Sequence, residues 1–213
     1  MLLHLAFAIS QTVGGVTFAN HPNTLYVSAR QVADNLGVSL TYDPQSDLAF
    51  LGNIPIDYEQ TVGDQRFVKV TALQQLGAQI TKTTPVITVA LNGKRLRIKT
   101  GRKQAVVDKT KQQMRVYEGG ELILVTRVST GKYSRSTPDG TFHVGTVKDA
   151  YHASAKYSEA PMPWAVHVTR NIFIHGGVVP DHPASHGCVR LPDDAARFFY
   201  NWSEPGTIVQ IRG

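Results

Sequence analysis

The stretch IFIHGGVVPDHPASHGCVR, residues 172–190, contains the features that decide the fold and the chemistry of this chain. Residues 172–174 are apolar, as in a strand buried in a core, and they place His175 at the end of that strand. The run closes on Cys188, the only cysteine among 213 residues. The stretch therefore predicts a strand that ends in a histidine, next to a loop that carries a cysteine.

Several residues near Cys188 in the sequence are able to carry positive charge. They are His175, His182, His186 and Arg190. The thiolate is the reactive form of cysteine, and positive neighbours lower the pKa of a thiol. Gly187 permits close backbone approach, and the amides beside Cys188 are placed to face a developing oxyanion. The pattern favours a nucleophilic cysteine, and three other interpretations stay open: a core cysteine, a metal site of histidines and cysteine, and a polar network without chemistry.

The combined pattern resembles the signature of the L,D-transpeptidase (YkuD-type) family. That signature is an upstream His-Gly followed by Ser/Thr-His-Gly-Cys-x-Arg, met here by residues 175–176 and 185–190. The flanks are similar as well, because residues 106–117 resemble the opening hairpin of the family and residues 128–131 and 137–142 resemble its next block. The resemblance covers about half of the chain. It implies a mainly-β catalytic domain, sandwich-like or barrel-like, at residues 102–213.

The resemblance also implies a role for each residue of the motif. Cys188 is the nucleophile that forms a thioester, and His175 is the base that activates it. The carbonyl of Gly176 orients His175, as a third group commonly fixes a catalytic base. The amides of Gly187 and Cys188 supply the oxyanion hole, and His186 shapes the pocket.

Four further residues are expected to bind the substrate: Arg190, Ser185, Trp164 and Tyr151. Arg190 contacts a substrate carboxylate or stabilises the motif loop, whereas Ser185 is the more structural of the four. Segment 162–164 is expected to flank the pocket. The chain departs from the family at Gly177, where relatives often have Thr or Ser, and in the short, proline-stiffened linker 177–184.

The activity implied by the resemblance is peptidoglycan cross-linking in the cell envelope, outside the cytoplasm. The enzyme takes a stem tetrapeptide, releases the terminal D-Ala, and passes the acyl group from a thioester to an amine of another stem, without a cofactor or metal. Carbapenem-type β-lactams are expected to acylate Cys188. Three alternatives stay open: an L,D-carboxypeptidase that transfers the acyl group to water, a wall-binding protein with an inert thiol, and a zinc-dependent peptidase.

Residues 1–100 follow a different pattern that contains a weak internal repeat. An aromatic-Val pair, a helix-like segment and a Leu-Gly pair occur twice, ending at Gly37 and Gly77. In the first copy the apolar positions of segment 29–36 share one helix face, and Ser28 is placed to cap it. With the short β-like runs between them, the pattern predicts an α+β module of two helices packed on a sheet. The module resembles the copper amine oxidase N-terminal-like stalk domain, and we expect it to be dispensable for chemistry.

Turn signals and one helix pattern complete the secondary-structure prediction. Asn92-Gly93 and residues 118–120 are typical hairpin turns. Residues 193–202 are expected to form a helix with acidic residues in its first turn, which suits the helix dipole. Residues 207–212 are expected to form a last strand.

Charge and hydropathy limit the possible partners and location. The formal net charge is +6 and the pI about 9.5, but the basic residues are scattered, so we expect no nucleic-acid binding, whereas anionic cell-wall polymers fit. No apolar run approaches the roughly 18 residues of a membrane span. Residues 1–9 are apolar and contain an Ala-x-Ala pattern, so they are expected to be an export-signal remnant or a first strand.

Overall fold

The computed structural model describes residues 11–46, 48–56, 61–155 and 158–213, so the expected signal remnant lies outside the described residues. The first half of the chain forms a seven-stranded sheet in the order β6-β7-β2-β1-β10-β9-β8, and β3, β4 and β5 form a separate sheet. The strands are β1 (Gln11–Phe18), β2 (His21–Ser28), β3 (Leu40–Asp43), β4 (Leu48–Leu51), β5 (Ile54–Ile56), β6 (Thr61–Val62), β7 (Gln65–Lys69), β8 (Gln79–Thr83), β9 (Val86–Leu91) and β10 (Lys94–Lys99).

The first predicted helix is confirmed, whereas the second has a different geometry. Helix α1 (Ala29–Leu36) is capped by Ser28, whose hydroxyl accepts the Gln31 N–H, and it ends at Gly37 with a φ of 71°. The second segment, Val70–Leu76, is a 3₁₀ helix. Its large apolar residues, Val70, Leu73 and Leu76, recur every third position, which matches the three residues per turn of a 3₁₀ helix.

Both predicted hairpins are present. Asn92 and Gly93 have φ values of 53° and 73°, and β9 pairs with β10 directly across them. Gly119 and Gly120 have φ values of 62° and 88° and connect two paired antiparallel strands. Consecutive residues with positive φ are characteristic of two-residue turns that follow the strand twist.

The second half of the chain contains a five-stranded and a four-stranded sheet. The first has the order β13-β12-β11-β19-β14 and the second the order β15-β16-β17-β18. Their strands are β11 (Lys103–Asp108), β12 (Gln113–Glu118), β13 (Glu121–Arg127), β14 (Gly140–His143), β15 (Lys148–Ser154), β16 (Ala160–Thr169), β17 (Ile172–Gly176), β18 (Val189–Leu191) and β19 (Ile208–Arg212). The predicted C-terminal helix is confirmed as α2 (Asp193–Trp202), and its apolar face joins both sheets in one core.

Part of the first half also packs into this core. The Phe18 ring lies edge-on to Phe198 of α2 with centroids 5.5 Å apart, and Phe67 stacks on the same ring at 5.6 Å. A second cluster of buried residues belongs to the first half alone. Because α1 is one α-helix among ten strands in the described residues of this half, the whole chain is mainly β. A separate α+β module is not evident.

A buried carboxylate also joins the two halves. Glu118 accepts hydrogen bonds from the Thr17 amide at 3.1 Å, from the Thr17 hydroxyl at 2.8 Å and from the Trp202 indole N–H at 2.8 Å. Burial raises the pKa of Glu118, and these hydrogen bonds oppose the rise. A buried carboxylate that loses such donors is costly, so β1 and α2 are held together through Glu118.

Removing the first half is therefore expected to destabilise the remainder. Fragment 102–213 would lose the packing of Phe18, Tyr26 and Phe67, at about 1.5–3 kcal/mol for each buried side chain. The expected loss is at least about 5 kcal/mol, comparable with the whole stability of many domains. Denaturant unfolding of the fragment and the full chain measures it, with Thr17→Val in the full chain as a mild control expected to cost about 1 kcal/mol. Equal stability of fragment and full chain would contradict the shared core.

Candidate active site

The two parts of the sequence motif lie on neighbouring parallel strands. In the β17–β18 pair, Ile174 is opposite Val189 and His175 is opposite Arg190. Ile174 and Val189 are buried in the core. Because side chains alternate between the faces of a sheet, His175 and Arg190 lie together on the other face. Cys188 immediately precedes β18, so the sheet brings the three chemically important residues together.

His175 is a buried imidazole with a fixed orientation. Its Nδ1 lies 2.7 Å from the carbonyl oxygen of Gly176, so Nδ1–H donates and Nε2 is left as the basic nitrogen. The pKa of His175 is lowered to about 4, chiefly by burial and also by the positive charge of Arg190. The hydrogen bond to Gly176 acts in the opposite direction and raises the pKa. At neutral pH the ring is therefore an uncharged base.

Cys188 is half-buried, and its thiol donates to the carbonyl oxygen of Asn171 at 3.8 Å. Burial raises the pKa of Cys188, while the backbone N–H of Phe173 and the charge of Arg190 lower it. Arg190 lowers the pKa, as positive neighbours in the sequence indicated, but desolvation of the thiolate has the larger effect. Within the described part of the chain, no hydrogen bond joins Cys188 to His175. The resting pair is a neutral thiol and a neutral imidazole.

Ser185 shapes the turn that leads into Cys188. Its hydroxyl donates to the carbonyl oxygen of Cys188 at 2.5 Å and accepts the Gly187 N–H at 3.0 Å. The residue is 1% exposed, so the hydroxyl is used within the loop and is not presented to a ligand. The Gly187 amide was expected in the oxyanion hole, but in this structure it donates to the Ser185 hydroxyl.

Gly187 occupies a position that a side chain would strain. Its φ is +124°, and a Cβ there would lie 3.1 Å from the Cδ1 of Ile172. The carbonyl oxygen of Gly187 accepts the hydroxyl of Thr137 at 2.8 Å, and that hydroxyl oxygen accepts the amide of Gly131 at 2.8 Å. The loop is therefore held by a residue fifty positions earlier in the chain.

A second contact from the same region holds the linker before the motif. Ser129 exchanges two backbone hydrogen bonds with Arg190, both 3.0 Å long. Its hydroxyl donates to the carbonyl of His182 at 2.9 Å and accepts the Ala184 amide at 3.1 Å. Both ends of the linker are thus fixed by Ser129 and by β17.

His186 and His182 are exposed and differ in their surroundings. His182 lies 2.8 Å from Asp181, outside the buried site. The pKa of His186 is lowered, first by desolvation and then by the positive charges of Lys132, Arg135 and Arg190. No three His, Cys, Asp or Glu side chains among the described residues are grouped as metal ligands.

Comparison with known families identifies this arrangement. The profile of YkuD, the L,D-transpeptidase catalytic domain, matches residues 102–211, which is more than half of the chain. The chain belongs to this family.

Solved structures of L,D-transpeptidases resemble the chain to different extents. An L,D-transpeptidase from Stackebrandtia nassauensis is 30% identical, over 53% of this chain and 56% of that one, with a TM-score of 0.49. L,D-transpeptidases from Mycobacterium smegmatis and Mycobacterium tuberculosis H37Rv are each 16% identical. They cover 98% and 96% of this chain, and 96% and 94% of their own, both with a TM-score of 0.49. A comparison with curated proteins finds no match. This chain thus spans about half the length of the Stackebrandtia protein.

In this YkuD domain, the two aromatic residues expected to bind substrate differ in their surroundings. The indole N–H of Trp164 donates to Asp193 at 3.0 Å, and its ring packs edge-on to Tyr200 at 5.7 Å, so Trp164 is fixed on α2. Its φ of 57° marks an irregular point in β16. Tyr151 is 92% exposed and lies opposite Pro163. Segment 162–164 does approach the motif, because a Cβ on Gly176 would lie 3.1 Å from the Pro163 ring.

Thr137 and Ser129 hold the motif loop and its linker in this YkuD domain, and the sequence assigned no role to either. Both lie in blocks that resembled the family, and that resemblance was the one available signal. The Thr137 hydroxyl bonds to a residue fifty positions away, and such a contact produces no local pattern in the sequence. It depends on the register of distant strands, which is set by the packing of the whole domain.

The acid dependence of stability tests the burial of His175. An unfolded histidine titrates near its ordinary pKa of 6.5, whereas in the folded chain the pKa is about 4. As pH falls between these values the unfolded chain binds the proton first, so His175 contributes stability above about pH 6.5 that is lost towards pH 4. The expected loss is about 3 kcal/mol. Denaturant unfolding across this range should show it in the parent and not in His175→Gln. An equal acid dependence in both proteins would contradict a buried neutral ring.

Proposed function

We propose that this protein is a peptidoglycan L,D-transpeptidase of the cell envelope and that it works through an acyl thioester on Cys188. The observation that carries the proposal is the pairing of His175 with the strand that follows Cys188, inside a domain of the L,D-transpeptidase family. The uncharged, oriented imidazole supports a base with a free Nε2. The donor is a stem tetrapeptide, and the acceptor is an amine on another stem.

The first half-reaction transfers a proton and an acyl group. The Cys188 thiol leaves the Asn171 carbonyl, His175 Nε2 takes the thiol proton, and Sγ attacks the carbonyl carbon of the third stem residue. The negative oxygen that forms is stabilised by backbone amides. Because the amide of Gly187 already donates to Ser185, we assign the amide of Cys188 as the principal donor. The C–N bond then breaks, and the departing D-Ala amine receives the proton from His175.

The second half-reaction releases the acyl group. The acceptor amine attacks the thioester carbon, His175 takes an amine proton, and the C–S bond breaks to give a new amide. The thiolate then recovers the proton from His175. Gly176 holds the same ring nitrogen throughout, so His175 serves as base and acid without reorientation. With water in place of the amine the same steps make an L,D-carboxypeptidase.

Residues around this centre complete the proposal. Arg190 contacts a substrate carboxylate, and His186 forms an exposed wall of the pocket. Tyr151 and Trp164 border the substrate region from β15 and β16. Gly177 leaves space beside the Arg190 side chain, since a Cβ there would meet Arg190 only at an ordinary 3.5 Å.

The first half of the chain is proposed to be a stalk-like module that ends near residue 100, with the catalytic domain at 102–213. The repeated Leu-Gly units support a relation to the copper amine oxidase N-terminal-like domain, while the shared core makes it an integral support. The formal charge of +6 favours contact with anionic cell-wall polymers. No described helix has the length and apolar character needed to cross a bilayer.

Product analysis tests the proposed reaction. Incubation with purified tetrapeptide muropeptides should yield a cross-linked product that has lost one D-Ala, detected by mass spectrometry. Added D-amino acid should replace the terminal residue through the same thioester. A tripeptide as the sole product would show hydrolysis and favour the L,D-carboxypeptidase. No product from the folded protein with any muropeptide would contradict both enzymes and favour a wall-binding protein.

A further inference from the structure

Four basic residues are grouped on the exposed side of the motif loop. This basic cluster consists of Lys132, Arg135, His186 and Arg190. Lys132, Arg135 and His186 are exposed, and Arg190 is partly so. The charges of the other three members all act on the His186 imidazole, which immediately precedes Gly187 and Cys188. A positive potential is therefore concentrated next to the nucleophile.

The backbone holds the cluster in a defined position. The amide of Lys132 donates to the carbonyl of Ser185 at 3.0 Å, and the amide of Arg135 closes a 3₁₀ turn onto the Lys132 carbonyl at 2.8 Å. A Cβ on Gly131 would lie 3.0 Å from the Cα of Gly187, which shows how tightly this turn packs on the motif loop. The backbone positions of Lys132 and Arg135 relative to the motif loop are thus fixed by hydrogen bonds and close packing.

Three acidic residues close to the cluster in the sequence have contacts of their own, and one of them, Asp193, accepts the indole N–H of Trp164 at 3.0 Å. Asp139 pairs with Lys109 at 2.9 Å, and Asp181 pairs with His182 at 2.8 Å. Like charges held close together repel each other unless an anion lies between them. A preorganised positive site at the edge of a reactive centre is characteristic of anion recognition.

We propose that the basic cluster is an anion subsite that binds a carboxylate of the peptide substrate beside Cys188. This assignment rests on the proposed function for the identity of its ligand, and it adds Lys132 and Arg135 to the binding residues. The carboxylate it fits is the terminal one of the donor, because that group lies one residue beyond the bond that Cys188 attacks. Recognition there selects peptides that end at this residue over longer or amidated ones.

Alkylation of Cys188 by two reagents tests the subsite without a peptide substrate. Iodoacetate is an anion and iodoacetamide is neutral, and both react with the thiolate by displacement of iodide. The ratio of their rates therefore cancels the thiolate fraction and measures the local potential. We expect the ratio for the parent to exceed that of 2-mercaptoethanol. The double variant Lys132→Gln, Arg135→Gln should lower it at least about threefold at low ionic strength, and added salt should reduce the excess in the parent.

Two control variants separate charge at the site from charge in general. The pair Lys82→Gln, Arg97→Gln removes the same charge from exposed positions in β8 and β10, and it should keep the parent ratio. The charge-conserving pair Lys132→Arg, Arg135→Lys should keep it as well. A parent ratio equal to that of 2-mercaptoethanol, or one unchanged by the glutamine variants, would overturn the subsite.

A peptide comparison connects the subsite with turnover. The parent should use a tetrapeptide better than its C-terminal amide, chiefly through a lower KM, and the glutamine double variant should lose that preference. Equal use of both peptides by the parent would overturn carboxylate recognition. A raised alkylation ratio without turnover of any stem peptide would support the anion subsite and contradict the transpeptidase, so the two failures are distinct.

Discussion

Cys188→Ala is expected to abolish turnover of stem peptides while the protein stays folded. The chain has one cysteine, so no second thiol is available to form the acyl intermediate. Removal of the nucleophile from a catalytic unit costs on the order of 10⁴-fold or more in rate. Product formation from tetrapeptide muropeptides measures the loss, and thermal unfolding verifies the fold.

Cys188→Ser provides a closer control for this prediction. It keeps a small polar group at the same half-buried position and supplies a much weaker nucleophile at neutral pH. We expect it to be nearly as inactive as the alanine variant. Turnover near the parental rate in either variant would show that the nucleophile has been assigned to the wrong residue.

His175→Gln is expected to lower the turnover rate by about 10²–10⁴-fold, the usual contribution of a general base. Glutamine fills much of the same space but has no basic nitrogen to take the proton from Cys188. Because burial raises the pKa of the thiol, little thiolate exists at neutral pH without a base. The variant should therefore also react more slowly with iodoacetamide from mildly acidic to mildly alkaline pH.

His182→Gln is the matched control for His175. It removes the same ring from an exposed position where the partner is Asp181, and turnover should stay close to that of the parent. Parental rates of alkylation and turnover in His175→Gln would show that His175 is not the base.

The sequence predicted elements whose determinants are local. Helix α2 and the two hairpin turns were predicted because an apolar period and pairs of turn residues act over a few positions. The strand ending in His175 was predicted for the same reason. The second helix of the first half is a 3₁₀ helix, so its predicted geometry was wrong. Its large apolar residues follow a three-residue period, and no side chain caps its N-terminus.

Contacts between distant segments account for the features that the sequence did not predict. The first half was expected to be a separate α+β module, but Phe18 and Phe67 pack against Phe198 of α2. The sequence placed Trp164 near the pocket but did not predict that its indole N–H bonds to Asp193. Neither partner can be identified from spacing, because both depend on how the sheets and α2 pack together.

The electrostatics of the site were predicted only in part. Residue types near Cys188 correctly indicated positive charge, and Arg190 does favour the thiolate. Desolvation outweighs this effect, and burial is a property of the folded chain that the motif alone does not contain. The result is a neutral pair at rest, so the proposed reaction requires transfer of the thiol proton to His175 during the attack.

Intact-protein mass spectrometry tests the thioester on Cys188 most directly. A carbapenem-type β-lactam offers a strained acyl group, and its opening by the thiol forms a thioester like that of the donor peptide. The account predicts one added drug mass on the parent, located at Cys188 by peptide mapping, and no added mass on Cys188→Ala. Absence of an adduct on the parent at every drug concentration, or an adduct that persists in Cys188→Ala, would contradict it.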